Sequence, residues 1–384
     1  MSRSFKLLVS AVIIAAGASY LVQVATSFQP LPDRAASAKI ESAKIESATS
    51  ANVLTPTTSL QPAVTTSPTS AMRPLSTPAP STSSIPVALS LSPLVESSAP
   101  QLIPPRPALD VTTPASQAAI NASASDAAVL YENGCHLSWS ASDPKPCAFG
   151  DLSSPITIVL TGDSHAAHWF GALQDAALAN HWRLVTVTKS GCPSADVSVF
   201  SSEPSVKGQH VVYSSCASWR TKSHAYIKSL NPTLVVFPML SRRDVVGLNG
   251  QSAKDAWANG IVTAVANTST GTSRALVISD TPRTAGSSIP ACLQQHLTDQ
   301  QACSTPIDQA VLSDRISMEA AAATRARAQF LDVAPWMCSN TACSAVVGGV
   351  VVYRDEHHLT DSFARACADA MAIAIQQALA SEPA

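Results

Sequence analysis

Beyond about residue 150 the chain alternates short, continuous apolar runs with longer stretches in which apolar residues recur every three or four positions. The runs at 156–160, 183–188, 234–237, 275–279 and 330–333 are bounded by polar or turn-forming residues and predict buried strands. The stretches at 165–179, 217–229, 253–266 and 307–328, and a last one starting near Thr360, predict amphipathic helices. In the first, Trp169, Phe170, Leu173 and Ala177 share a side; in the last, Phe363, Cys367, Ala370, Met371, Ala374, Ile375 and Ala378 do. Continuous apolar strands alternating with such helices imply a central parallel sheet covered on both faces, a three-layer α/β/α domain. Sites in these sheets lie outside the carboxyl ends of the strands, where Ser164, Gly191, Ser241 and Asp280 fall.

The sequence ahead of this region is different in kind. Arg3 and Lys6 precede an apolar stretch at 7–25, whose nineteen residues would span roughly 28 Å as a helix, close to a bilayer's hydrocarbon thickness. Residues 1–27 are expected to be a membrane anchor with the N-terminus inside, or a cleaved signal peptide; either way the rest is exported. Residues 28–125 are dominated by Ser, Thr, Pro and Ala and are expected to be a disordered linker, leaving 126–384 as the folded domain. A net charge of −2 gives no reason to expect a nucleic acid partner. Eight of nine cysteines form neighbouring pairs: Cys135 with Cys147, Cys192 with Cys216, Cys292 with Cys303, and Cys338 with Cys343, with no CxxC among them. Four local disulfides in an oxidising compartment are the expectation, with Cys367 left as a small buried apolar side chain.

The chemistry centres on two stretches. At 157–165 a β-branched run breaks at Gly162 and passes through Asp163 and Ser164 into a helix at His165. A serine there sits among free helical N–H groups at the positive end of a helix dipole, suited to a developing oxyanion, although Asp-Ser also suits a plain helix cap. At 353–360, Asp355 precedes His358 by three positions just before the last helix, a spacing that lets the carboxylate reach the imidazole Nδ1 and leave Nε2 for the serine proton. His357 competes for that role but is expected to project elsewhere. His165 is expected on the pocket wall and His168 on the helix surface. Four imidazoles (165, 168, 357, 358) raise the question of a metal, but no carboxylate or thiolate set of a familiar site accompanies them; neither a metal nor a cofactor is expected. Asp163, Ser241 and Arg242, with Arg243 and Asp244 following, are candidate pocket residues.

These residues resemble the SGNH/GDSL hydrolase superfamily, and within it the exported SGNH domains associated with membrane acyltransferases that O-acetylate surface polysaccharides. The likeness runs in order through Gly162-Asp163-Ser164-His165, Lys189-Ser190-Gly191-Cys192-Pro193, Thr281-Pro282-Arg283, Pro335-Trp336-Met337-Cys338 and Asp355-Glu356-His357-His358-Leu359. It implies a flavodoxin-like sheet, Ser164 as nucleophile, His358 as base, Asp355 as its orienting acid, and an oxyanion hole from the N–H groups of Ser164 and Gly191. The superfamily's Gly-x-Asn-Asp block has no counterpart, the matching segment reading Pro238-Met239-Leu240-Ser241-Arg242. Losing such a donor costs about 10²–10³ in rate unless another group, here Ser241, replaces it. The resemblance implies an O-acetyltransferase acting on a cell-envelope carbohydrate and supplied by a separate membrane acyltransferase. A carbohydrate O-acetylesterase is the near alternative, and a non-catalytic envelope-binding module the distant one.

Overall fold

The computed structural model describes residues 106–110, 112–286 and 288–384; the expected membrane or signal segment and the linker up to residue 105 lie outside them. A helix is present ahead of residue 126, within the range that composition assigns to the linker. Helix α1 (Gln117–Ser123) starts at Ser116, whose side chain accepts from the Ala119 N–H, and it buries Ile120 completely. Ala115 exchanges two hydrogen bonds with the Gln300 side chain. A capped turn, Ala115 and Ile120 in the core, and backbone hydrogen bonds from Gly348 and Gly349 to Asp110 and Thr113 dock this segment, a signal that average composition hides.

One sheet holds seven strands: β1 (His136–Leu137), β2 (Cys147–Gly150), β3 (Thr157–Gly162), β4 (Arg183–Lys189), β5 (Leu234–Pro238), β6 (Arg274–Ile278) and, after the separate β7 (Thr305–Pro306), β8 (Gln329–Leu331). The order β1-β4-β3-β5-β6-β8 is parallel throughout, with β2 antiparallel to β4. Taken in chain order, β4-β3-β5-β6-β8 is the 2-1-3-4-5 arrangement of flavodoxin-like sheets, with its switch point beside the carboxyl end of β3. The expected α/β/α architecture is present. The short strands β1 and β2 escape a periodicity reading; they share the outer edge of β4 and are joined by the disulfide between Cys135 and Cys147.

The remaining helices are α2 (Ser164–Ala167), α3 (Phe170–Ala179), α4 (Ser214–Leu230), α5 (Gly250–Thr268), α6 (Ile289–Gln295), α7 (Ile307–Ala310), α8 (Ser313–Arg325), α9 (Asp361–Ala366) and α10 (Ala368–Leu379). Alternate strand residues point to opposite faces, and both faces are buried. Ile158, Leu160, Leu184, Val236 and Ile278 pack in one cluster with Phe170, Leu173, Phe363, Met371 and Ile375. Val159, Val185, Val235, Phe237 and Val277 pack in the other with Trp219, Trp257 and Ile261. Two expected helices are each split. The 165–179 stretch breaks between α2 and α3, where the neighbours Trp169 and Phe170 are both buried, and the 307–328 stretch breaks at the extended Val311.

All four cysteine pairings suggested by spacing are present as disulfides. Beside the bond between Cys135 and Cys147, Cys192 is joined to Cys216, which ties the turn after β4 to the first turn of α4. Cys292 is joined to Cys303, which closes α6 onto the turn that follows it. Cys338 is joined to Cys343 across a five-residue separation, in the loop between β8 and the final helices. Cys367 is free and buried. No helix among the described residues is long and apolar enough to cross a membrane.

Candidate active site

The site is built where β3 hands over to α2. Gly162 has φ +146°, and a Cβ there would sit 2.6 Å from the Pro238 carbonyl oxygen, so only glycine lets β3 turn this close to β5. Asp163 then caps α2: its carboxylate accepts from the His165 N–H at 2.8 Å and from the Leu240 N–H at 3.0 Å. It is fully buried, and burial pushes its carboxyl up to about 6 against those two hydrogen bonds. Asp163 therefore acts as a brace between β3 and the loop after β5 and does not line an open pocket. Ser164, the next residue, is held at the start of the helix with its hydroxyl free to turn outward.

The second half of the site is the loop between Tyr353 and Leu359, which bridge each other across it. The Tyr353 hydroxyl donates to the Pro282 carbonyl at 3.0 Å, and Thr360 caps α9 by accepting from the Phe363 N–H. Between these anchors, Asp355 Oδ1 accepts from the N–H groups of His357 (2.9 Å) and His358 (2.8 Å), folding the loop around its own carboxylate. Its other oxygen, Oδ2, lies 2.7 Å from His358 Nδ1, and His358 Nε2 lies 2.8 Å from Ser164 Oγ. Burial works to raise the Asp355 carboxyl, but the imidazole and the two N–H donors outweigh it and hold it well below the usual carboxylate range. Two loops separated by 194 residues thus place a hydroxyl, an imidazole and a carboxylate in one hydrogen-bonded series. An imidazole so held, with its proton on Nδ1, can receive a proton from the hydroxyl.

Gly191 follows β4, whose Thr188 pairs with Gly162, so its turn stands beside that of Ser164. It has φ +55°; its carbonyl accepts from Arg243, and the Trp139 ring lies where a Cβ would project. Neither the Ser164 nor the Gly191 N–H donates to a protein acceptor among the described residues, which leaves both available to an incoming oxygen. Ser241 is not joined to Ser164. Its buried hydroxyl has no partner among the described residues, its carbonyl accepts from Arg315 at 2.6 Å, and it lines a small inner cavity with Asp280, Arg315 and Glu319. Arg243 is taken up by the carbonyls of Gly191 and Phe200, whereas Arg242 Nε lies 3.4 Å from Asp280 Oδ2.

A second series, absent from the sequence reading, runs beside the first. Asp280, at the end of β6, lies 2.7 Å from His165 Nδ1, and His165 Nε2 lies 2.9 Å from His357 Nδ1. The two ring planes lie 20° apart with centroids 5.2 Å from each other. Burial and the nearby imidazoles push His165 well below its ordinary value, and burial with His358 alongside pushes His357 down to about 4. Burial raises the Asp280 carboxyl, with Arg242 opposing. His165 is therefore a fully enclosed link and not a pocket wall. His168 is likewise buried and not on the helix surface, its Nδ1 accepting from the Leu359 N–H at 3.3 Å. The rings of His165, His357 and His358 do converge, each with a nitrogen within 4.8 Å of the others. Both His165 nitrogens and both His358 nitrogens already have hydrogen-bond partners within the protein, so a cation would have to displace those bonds. The sequence placed Asp280 at a strand end; nothing in the spacing linked it to His165, 115 residues away.

Among solved structures, the chain is similar to the periplasmic domain of a lipopolysaccharide acetyltransferase from Salmonella ser. Paratyphi A, at 15% identity and a TM-score of 0.47, covering 69% of this chain and 91% of that one. It is also similar to TesA, at 14% identity and a TM-score of 0.24, covering 45% of this chain and 76% of that one. No curated protein matches it in sequence. Residues 134–372 match the family model described as SGNH domain (fused to AT3 domains), and the chain belongs to that SGNH family.

Proposed function

We propose that this domain is an exported, serine-dependent acyl-transfer enzyme that places a short acyl group, acetyl foremost, on a hydroxyl of a cell-envelope polysaccharide. The observation that carries the reading is the 2.8 Å contact between Ser164 Oγ and His358 Nε2, continued at 2.7 Å to Asp355. Ser164 Oγ attacks the ester carbonyl of the donor as its proton passes to His358 Nε2. The tetrahedral oxygen is received by the N–H groups of Ser164 and Gly191. The donor's leaving oxygen takes the proton back from His358, giving an acyl-serine. An acceptor hydroxyl then repeats the sequence in reverse: its proton goes to His358, its oxygen bonds to the acyl carbon, and Ser164 leaves reprotonated. Family membership supports acyl transfer or ester hydrolysis as the reaction class. Four disulfides favour an extracytoplasmic site of action, with residues 1–27 as the tether and a separate membrane acyltransferase as the acyl supplier.

The test is direct. Purified protein is given p-nitrophenyl acetate, and release of p-nitrophenol is followed for wild type and Ser164→Ala. Release that the substitution abolishes supports the acyl-serine; equal rates in the two proteins, both at the buffer level, would leave a binding module. Analysis of products with a glycan acceptor present separates a transferase, which accumulates acetylated sugar, from an esterase, which yields acetate alone.

A further inference from the structure

The Asp280–His165–His357 series is not needed to activate Ser164, yet it ends beside the reacting atoms. His357 and His358 are adjacent, with ring centroids 4.0 Å apart, and His357 lines an open cleft of about 350 Å³ with Leu240, Arg242, Arg283, Thr284 and Glu356. That volume suits a sugar-sized ligand.

Proton placement along the series follows from its two ends. Asp280 Oδ2 faces Arg242 Nε, whose positive charge favours the ionised carboxylate, and an ionised Asp280 can only accept. His165 Nδ1 therefore carries a proton and donates to Oδ1. A neutral His165 then has a bare Nε2, so the bond at 2.9 Å must be donated by His357 Nδ1. A neutral His357 with its proton on Nδ1 has none on Nε2. Both neighbouring imidazoles thus offer bare Nε2 atoms: His358 to Ser164, and His357 to the cleft.

We propose that the buried series makes His357 Nε2 an obligate hydrogen-bond acceptor, and that it selects acceptors carrying a second hydroxyl beside the one that is acylated, namely vicinal diols such as sugars. The proposal rests on the acyl-transfer reading. The attacking hydroxyl gives its proton to His358 while its oxygen bonds to the acyl carbon; the neighbouring hydroxyl keeps its proton and only shares it with His357. One neutral hydrogen bond of this kind supports about a tenfold preference over an alcohol that cannot make it.

Two measurements test the proposal. The first needs no turnover: long-range ¹H–¹⁵N correlation on the wild-type protein reads the His357 tautomer. The Nδ1–H form is expected; an Nε2–H form overturns the assignment. In Asp280→Asn, Arg242 holds the amide oxygen and turns the amide NH₂ toward His165, so the series reverses and His357 becomes the Nε2–H form. The second measurement is acetyl partition from p-nitrophenyl acetate between methyl β-D-glucopyranoside and propan-1-ol. Wild type is expected to favour the glucoside about tenfold, and His357→Phe to reduce that preference to threefold or less. A preference unchanged in His357→Phe, or missing in wild type that still releases p-nitrophenol, overturns the proposal. Failure of the acyl-serine reading shows differently, as release that Ser164→Ala does not alter, and the wild-type tautomer then decides the buried series by itself.

Discussion

Glu319 offers the most quantitative test of how this site is held from behind. It lies on α8 and is 2% exposed; its Oε2 receives the Asp280 N–H at 3.4 Å, and its Oε1 has no partner among the described residues. Burial pushes its carboxyl up to about 8 from an ordinary 4.5, the Ser241 hydroxyl beside it opposing and Asp280 adding to the rise. Between those two values the folded protein binds a proton that the unfolded chain has released, so folding stability falls as pH rises, by about 1.4 kcal/mol per pH unit. Below pH 4.5 both states are protonated and the effect vanishes; above pH 8 it is constant. Glu319→Gln removes the titration while keeping shape and a neutral polar end. The variant should match wild type near pH 4.5 and gain on it steadily, by roughly 3 kcal/mol between pH 5 and 7.5. With a urea m-value of about 3 kcal/mol/M, that is a midpoint difference of about 1 M. Asp163 also titrates in part of this range, but it is present in both proteins and cancels. Urea unfolding of the two proteins across that pH range is the assay. Parallel stability curves, or a variant losing ground as pH rises, would show that Glu319 is ionised and solvated in the folded protein and would refute the reasoning.

Asp355→Asn keeps an amide oxygen for the N–H groups of His357 and His358, so the NH₂ faces His358 Nδ1 and drives the imidazole proton to Nε2, where it cannot accept from Ser164. A loss of about 10⁴ in p-nitrophenyl acetate turnover is expected with little change in melting temperature; a loss below tenfold would argue against His358 as the base. Gly191→Ala combines φ +55° with a Cβ 2.2 Å from the Trp139 ring and 2.9 Å from Arg243 Nη1. It should destabilise the fold by about 2–4 kcal/mol in chemical denaturation and lower turnover with it, and a change under 0.5 kcal/mol would show that the turn yields freely.

The architecture was legible because each central strand is buried on both faces, so Val159, Leu160, Val235 and Val236 appear as unbroken apolar runs. The pairing of Ser164 with Asp355 and His358 was legible for a related reason: local backbone chemistry fixes each half, a cap after Gly162 and a carboxylate-centred loop before Thr360. What escaped the sequence has no local signature. Strands β1 and β2 hold two and four residues and exist because the edge of β4 is available and a disulfide closes them. Helix α1 buries Ile120 beside Ala115 and is tied to the distant Gln300, partners that its own composition does not announce. The contact between His165 and Asp280 depends on β3 and β6 both ending at the same rim of the sheet with β5 between them, a consequence of strand order that no spacing along the chain encodes. His168 was misplaced because what covers it comes from far along the chain: the loop at 353–359 packs over it, with the Leu359 N–H donating to its Nδ1.

The loop 353–359 shows why two adjacent histidines can have different partners without competing. Asp355 Oδ1 binds both of their N–H groups, which fixes the backbone so that consecutive side chains diverge, one toward Ser164 and the other toward His165. Each imidazole then has its tautomer set by a different carboxylate: His358 by Asp355 from within the loop, His357 by Asp280 from a distant strand through His165. The two carboxylates have opposite tendencies, Asp355 held ionised by three donors and Asp280 raised by burial. Burial therefore favours the protonated form at Asp280, whereas the donors around Asp355 favour the ionised form that orients His358.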